Sequence, residues 1–345
     1  MGSCCSEINR PCCCSESTAV EVSTSLTMQD VFGAWKVRWG INRMNYKIDS
    51  GLYYVGRPNS DSPVLVTANY KLSFDALRKE LSGISAWILV LDTKGVNVWC
   101  AAGKGTFGTE ELVKRLEITG ISKVVSHRTL ILPQLGAVGV SAHEVMKRSG
   151  FKVVYGPVRA EDIPKFLKNG MKADQEMRTV NFNLADRAVL TPVEIVGAVK
   201  PSLILFGMMF LLNQIGISRF TGTDLYAYFG AVIVGCVLTP ILLPWIPGRA
   251  FSLKGWFLGL IWSAGIITLN HGFTSMEYGM LTAISYLLVL PSVSAFYAMN
   301  FTGCSTFTSF SGVIREMKIS IPLITISIGL GVILLITGSL LSMVF

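Results

Sequence analysis

Five long apolar runs fill the second half of this 345-residue chain, and no other feature constrains its fold as tightly. Crossing the hydrocarbon of a bilayer takes about 20 mostly apolar residues in a helix. The runs cover residues 198–217, 225–246, 251–269, 278–299 and 319–344. Buried helices of a large soluble domain do not supply five successive runs this long and this poor in charge. The sequence therefore predicts an all-α transmembrane domain of five helices over residues 188–345. Residues 25–187 carry charges throughout, with Gly and Pro at turns, and read as a soluble domain preceded by a Cys-rich tail, 1–24.

Cations set the expected orientation, because Lys and Arg accumulate in cytoplasmic loops. With the N-terminal domain inside, the inner segments carry Arg187, Lys200, Arg249, Lys254, Arg315 and Lys318. The outer loops carry Arg219, opposite Asp224, with His271 and Glu277. This predicts a multi-pass protein of the cytoplasmic (inner) membrane, its N-terminal domain cytoplasmic and its C-terminus outside. The formal charge of +8 then reflects membrane topology. No basic stripe with interleaved aromatics points to nucleic acid.

No apolar stretch follows Met1, so no secretory signal is expected. In a reducing cytoplasm, cysteines are read as ligands or nucleophiles before disulfides. Cys4, Cys5, Cys12, Cys13 and Cys14 crowd the tail without the spacing of a structural zinc site. Thiolates select soft ions, so the tail is either a gatherer of a soft metal or an inert segment. "MGSCCS" also fits the short myristoylation pattern.

Between Pro63 and Gly170, apolar strands alternate with amphipathic helices. "PVLVTA" (63–68), "AWILVLD" (86–92), "SKVVS" (122–126) and "FKVVYG" (151–156) read as strands. The helices between them are predicted to open at Ser73, at Thr109, and at Ser141 with Glu144 in a capping box. The expected fold is α/β, a Rossmann-like, mostly parallel sheet covered on both faces. Such sheets bind ligands beyond the C-terminal ends of their strands. That edge is expected to hold Thr67 to Asn69, Asp92 to Lys104, Ser126 to Arg128, and Tyr155 to Arg159.

The stretch "VNVWCAAGKGTFG" lies on that edge. Its Gly103-to-Gly108 segment satisfies G-x-G-x-x-G, yet residues 118–142 contain no Asp or Glu for a ribose. No Ser or Thr follows Lys104 to hold magnesium as a phosphate-binding loop requires. His127 and His143 stand alone, and Cys236 and Cys304 belong by default to packing.

"NVWCAAGK" (97–104) is similar to the signature of the mercury-methylation corrinoid proteins, the HgcA family. The resemblance extends over almost the whole chain, from "GAWKVRWGINRMNYKI" to "NFTGCSTFTSFSGVIREMK". The α/β part also resembles the corrinoid domain of the corrinoid iron–sulfur protein, which lacks the Asn-Val-Trp-Cys combination. The Cys-rich tail is a departure from the family.

The resemblance implies a corrinoid-binding domain over 25–187, with a cobalamin-type cofactor whose cobalt takes Cys100 as lower axial ligand. Cys100 is then the catalytic residue, and Thr67, Asn69, Asn97, Val98, Trp99, Ala101, Ala102, Gly103, Lys104 and His127 join it around the cofactor. Asn97 and Lys104 are expected to bond the corrin amides or the local backbone. The implied activity is transfer of a methyl group from cobalt to Hg(II), giving methylmercury. The implied partner is an HgcB-like ferredoxin with iron–sulfur clusters. Two rivals stay open: a corrinoid methyl carrier with a carbon-fixation acceptor, and a transporter with a cytoplasmic ligand-binding domain. Intramembrane charges usually mark a transport path. The spans offer Asn213, Gln214 and Asn270 instead, and the Ser/Thr-rich "FTGCSTFTSFSG" before the last span is read as a site or a polar loop.

Overall fold

The computed structural model describes residues 19–217, 220–271, 279–305 and 310–344. The chain divides into two compact units. One holds the described residues up to Val37 together with Asn42–Val180, and the other holds Arg38–Ile41 and the residues from Asn181 onward.

The first unit is built on a six-stranded sheet. Its strands are β1 (Val20–Glu21), β2 (Gly51–Val55), β3 (Val64–Ala68), β4 (Ala86–Leu91), β5 (Thr129–Leu132) and β6 (Lys152–Tyr155), in the order β1-β2-β4-β3-β5-β6. β4, β3, β5 and β6 are parallel, while β2 pairs antiparallel with β4. β3 is buried at every position, as a central strand covered on both faces must be.

The helices of this unit are α1 (Met28–Arg38), α2 (Lys71–Lys79), α3 (Val98–Lys104), α4 (Thr109–Thr119), α5 (Ala142–Ser149) and α6 (Ile163–Lys168). Alternate strand residues feed two cores. Val64, Val66, Leu89 and Leu130 pack with α3, α4 and α5 through Ala101, Leu112 and Val145. Leu65, Ile88, Val90 and Ile131 pack with α2 and α6 through Phe74, Leu77 and Phe166. The mostly parallel, doubly covered sheet expected from the sequence is the one found.

Three local expectations need correction. α2 begins at Lys71, two residues before Ser73, because the carbonyl of Tyr70 already accepts the N–H groups of Ser73 and Phe74. The N-cap of α4 is Gly108, and the hydroxyl of Thr109 instead accepts the N–H of Ser141 at 2.9 Å. "SKVVS" is not a strand. Gly120 ends α4 with φ 57°, and Ile121–Lys123 then forms a 3-10 turn in which the carbonyl of Ile121 takes the N–H groups of both Val124 and Val125. Local bonding removes these residues from the sheet, and β5 follows at Thr129, its Leu130 opposite Val64.

Among its described residues the second unit contains five helices long and apolar enough to cross a membrane: Leu184–Gln214, Gly222–Leu242, Phe251–Leu269, Gly279–Gly303 and Ser311–Leu341. The first begins well before residue 198: its long helix runs Thr191–Gln214, with Pro192 in the opening turn, so Glu194 and Lys200 lie on it. The third and fourth spans approach closely. A Cβ at Gly259 would sit 2.7 Å from the Cα of Pro291, as expected of helices packing through small residues. Serines link spans: Ser294 Oγ donates to the carbonyl of Ala231 at 2.8 Å, and Ser285 Oγ to that of Gly331 at 2.7 Å. Val234–Leu238 in the second span is a π-helical segment just before Pro240, and Thr239 Oγ1 donates to the carbonyl of Val234. Local π adjustment of this kind is one way a spanning helix accommodates a proline, which has no N–H to donate.

Candidate functional site

The site grows from the end of β4, where one buried amide organises the chain. Asn69, after β3, is 3% exposed. Its Oδ1 accepts from the N–H of Thr93 (3.1 Å), the hydroxyl of Thr93 (2.9 Å) and the N–H of Gly95 (3.0 Å). Its Nδ2 donates to Asp92 Oδ1 at 3.0 Å. The N–H of Asp92 donates in turn to Glu111 Oε1, which Arg115 also holds. Lys94 and Gly95 both have positive φ, 56° and 74°, so the chain reverses within two residues. Asn69 is thus a clamp for this turn, with both ends of its amide bonded to the chain that it holds.

The turn delivers Asn97 in extended conformation to the head of α3, and its Oδ1 accepts the N–H of Cys100 at 2.9 Å. This segment is therefore a short capped helix, closed by Gly105 at φ 79°. Helical spacing sorts its residues by face. Val98, Ala101 and Ala102 are buried, whereas Trp99, Cys100, Gly103 and Lys104 are exposed.

Close packing explains the two alanines. A Cβ at Gly139 would lie 2.1 Å from the carbonyl oxygen of Phe107 and 3.0 Å from the Cα of Ala102. Backbone presses on backbone there, and larger side chains at 101 or 102 have no room. Ala101 and Ala102 face the core, so their small size serves the seating of α3. Gly103 is the residue bare toward solvent: nothing lies within 4 Å of where its Cβ would be. It stands three residues after Cys100, one helical turn along the same face.

Beside α3 opens a mostly apolar cleft of about 310 Å³, bordered by Thr67, Ser73, Trp99, Pro133, Leu135 and Pro157 among others. It lies between the C-terminal ends of β3 and β5. From β3 the chain crosses to β4 on one side, and from β5 to β6 on the other, so this is the point where strand order reverses. Ligands of open α/β sheets bind at such a point.

Of the residues expected around a ligand, Thr67, Asn97, Val98 and Trp99 border this cleft, and Cys100, Gly103 and Lys104 continue the exposed face of α3. Asn69, Ala101 and Ala102 are turned to structural work. His127 is not brought to the site. It precedes β5 and therefore lies at the opposite edge of the sheet, as do Ser126 and Arg128. Its Nδ1 accepts the N–H of Thr129, which leaves Nε2 as the donor to the carbonyl of Ser62 at 2.9 Å. Cys4, Cys5, Cys12, Cys13 and Cys14 lie outside the described residues. Misplacing β5 hid Pro133 and Leu135, although the apolar run "TLIL" ended by Pro133 carries the signal of a buried strand.

Cys100 is an exposed free thiol, and among the described residues no three His, Cys, Asp or Glu side chains gather as a metal-binding group. A single thiol on an unobstructed face suits a metal already held by a macrocycle and short of one axial donor. It does not suit a bare ion, which needs several protein ligands.

Comparison with known proteins bears on part of the chain. Residues 39–167 match the family described as CO dehydrogenase/acetyl-CoA synthase delta subunit. Over 124 residues, 35% of this chain, it is 34% identical to the gamma subunit of the acetyl-CoA decarbonylase/synthase complex of Methanocaldococcus jannaschii, covering 25% of that protein. Against the Methanopyrus kandleri gamma subunit, identity is 33% over 133 residues, 38% of this chain and 28% of the relative. The Archaeoglobus fulgidus gamma subunit is 32% identical over 128 residues, 36% of this chain and 27% of the relative. The chain spans about a quarter of the length of these curated relatives. The α/β unit is thus similar to a segment of subunits of acetyl-CoA synthase and decarbonylase complexes, joined here to five helices of membrane-spanning length.

Proposed function

We propose that this protein is a membrane-bound, corrinoid-dependent methyltransferase, with Cys100 as the lower axial ligand of cobalt and Hg(II) as methyl acceptor. The observation that carries the reading is the outward face of α3. Cys100 stands exposed there, flanked by Trp99, with bare Gly103 one turn on, beside the cleft at the strand-order reversal. The "NVWCAAGK" signature adds the choice of acceptor, and the similarity to acetyl-CoA complex subunits supports methyl-group chemistry in general.

Each residue has a defined task. The Asn97 cap fixes the backbone of Cys100, and coordination would hold its sulfur as thiolate at neutral pH. Gly103 leaves the thiol face open to a flat ring, and Trp99 offers an apolar surface to its rim. Thr67 and the cleft receive the parts of the ligand that extend past α3. When bound, a methylcorrinoid held by Cys100 would supply the chemistry of methyl transfer to Hg(II), with a ferredoxin of the HgcB type as its two-electron donor. The protein supplies orientation and the electron-rich sulfur donor. On this reading the α/β unit and Arg249 face the cytoplasm.

A second reading keeps Cys100 and the cofactor but sends the methyl group to a carbon acceptor. The relatives' membership of acetyl-CoA decarbonylase/synthase complexes favours it. Anaerobically purified protein is expected to show a cobalt corrinoid visible spectrum and, with a reductant and methyl donor, to form methylmercury. Cys100→Ala should abolish methylation while folding and membrane insertion persist, and Cys100→His should bind the cofactor but methylate far more slowly. Full activity in either variant removes sulfur–cobalt ligation. A corrinoid spectrum without methylmercury moves the conclusion to the second reading, and absence of any cobalt spectrum ends both.

A further inference from the structure

The second unit contains a cavity that the methyl-transfer chemistry does not use. Its volume is about 730 Å³, and it lies where the second span ends, the third begins and the fifth passes. Three cations, Arg249, Lys254 and Arg315, share its wall with one carboxylate, Glu316. That carboxylate is already engaged: Glu316 Oε1 accepts the N–H of Ser252 at 2.7 Å, at the N-terminus of the third span. A carboxylate is favoured there by the partial positive charge of the helix end. The hydroxyls of Ser252 and Ser320 bond at 2.8 Å and fix the fifth span against the third.

The cations are not neutralised in the same way. Lys254 Nζ donates to the carbonyl of Leu243 at 2.5 Å, which occupies one of its three protons and holds the ammonium at the cavity wall. Among the described residues, Arg249 and Arg315 have no carboxylate partner. Loop cations that merely set topology can be scattered, but these three converge on one volume. Two guanidinium forks and an ammonium around a cavity match the geometry and charge of a phosphate group. The cavity also sits at the turn 243–250, where the second span ends and the third begins, and the end of a span is the depth of lipid headgroups.

We propose that this cavity binds a phosphate-bearing anion through Arg249, Lys254 and Arg315, its sources being a phospholipid headgroup or phosphate free in solution. The site is independent of Cys100 and would stand if the methyl-transfer reading fell. Basic recesses between spans are a physical basis for selecting anionic lipid.

The test uses the full chain in phosphatidylcholine nanodiscs, with phosphatidylglycerol added in one arm and inorganic phosphate in another. Native mass spectrometry counts retained lipid, and the unfolding midpoint is followed in both arms. Retained phosphatidylglycerol with a raised midpoint assigns the headgroup, and a rise with inorganic phosphate alone assigns the free anion. Removing two charges by Arg249→Gln with Arg315→Gln should weaken whichever binding occurs roughly thirtyfold. Arg249→Lys with Arg315→Lys should recover most of it, which separates lost binding from lost folding. Arg148→Gln, on the α/β unit, should change nothing. Equal response of wild type and the double Gln variant, or no response to either anion, overturns the proposal.

Discussion

Asn97 Oδ1 accepts the backbone N–H of Cys100 at 2.9 Å, so the residue that opens α3 also sets the position of its thiol. This is the bond to local backbone, one of the two roles expected of Asn97. Asn97→Ala should cost about 1 kcal/mol of local stability, the usual loss for an N-cap. Asn97→Ser keeps a capping oxygen and should restore both amide protection in α3 and cofactor retention. Hydrogen exchange across residues 98–104 reads the first, and the visible spectrum the second. Were Asn97 instead a direct cofactor contact, Ser would fail as badly as Ala while exchange stayed slow.

Two glycines near α3 should respond oppositely to the same methyl group. Gly139→Ala drives a Cβ toward the backbone of Phe107 and Ala102, and overpacking of this kind costs about 1–3 kcal/mol or more. Its melting midpoint should fall with or without cofactor. Gly103→Ala meets open space and replaces a poor helix former, so the cofactor-free protein should keep or gain stability, by up to about 1 kcal/mol. The added methyl nevertheless stands on the thiol's face, and cofactor binding should weaken. Normal binding by Gly103→Ala would show that the flat ligand does not approach across that face.

Acid should loosen α1 before the sheet. Burial pushes the Asp30 carboxyl up, but hydrogen bonds from Lys71, Thr27 and Arg78 outweigh it and hold the group well below the usual carboxylate range. A depressed carboxylate contributes stability that is complete above its unfolded value, near 3.8, and is lost as pH falls below that toward the folded value. Lys71 is also affected by burial, which lowers it, but its bonds to Asp30 and Asp75 raise it overall above 10.5. Its contribution is complete below 10.5 and fades as pH rises through the folded value. The anchoring of α1 to α2 should therefore be flat across neutral pH and weaken below about pH 4. Asp30→Asn should abolish that acid dependence and release α1, read by proteolysis near Met28–Arg38. An unchanged acid profile in the variant would place the dependence elsewhere.

Membrane orientation has its own check. Reporters fused after Arg249 and after Phe345 should report opposite sides, with Arg249 in the cytoplasm. The same side for both would mean an even number of crossings between them.

Much of this architecture was readable because burial leaves strong patterns. β3, β4 and β6 are continuous apolar runs, and the five spans have bilayer length. β2 is less legible, because only Leu52 and Val55 of "GLYYV" are buried while Tyr53 and Tyr54 stay partly exposed. β5 was displaced because Val124 and Val125 look like strand residues while bonding locally in a turn. α3 was hidden by its glycines, although Asn97 and Gly105 are the residues that begin and end a helix. At the site, sequence alone could not separate Ala102 from Gly103. Both are small, but one is small toward Gly139 and the other toward solvent, a distinction set by residues more than 30 positions away.

The clamp at Asn69 has a consequence in chemical ageing. Its amide is oriented by unlike partners: three donors on Oδ1 and the Asp92 carboxylate on Nδ2. Deamidation changes a single functional group and leaves the shape almost untouched. It would nonetheless set a carboxylate oxygen 3.0 Å from that of Asp92, turning an attraction into repulsion between like charges. The turn that carries Cys100 would then open from its base, and the molecule could lose its working face while every strand remained paired.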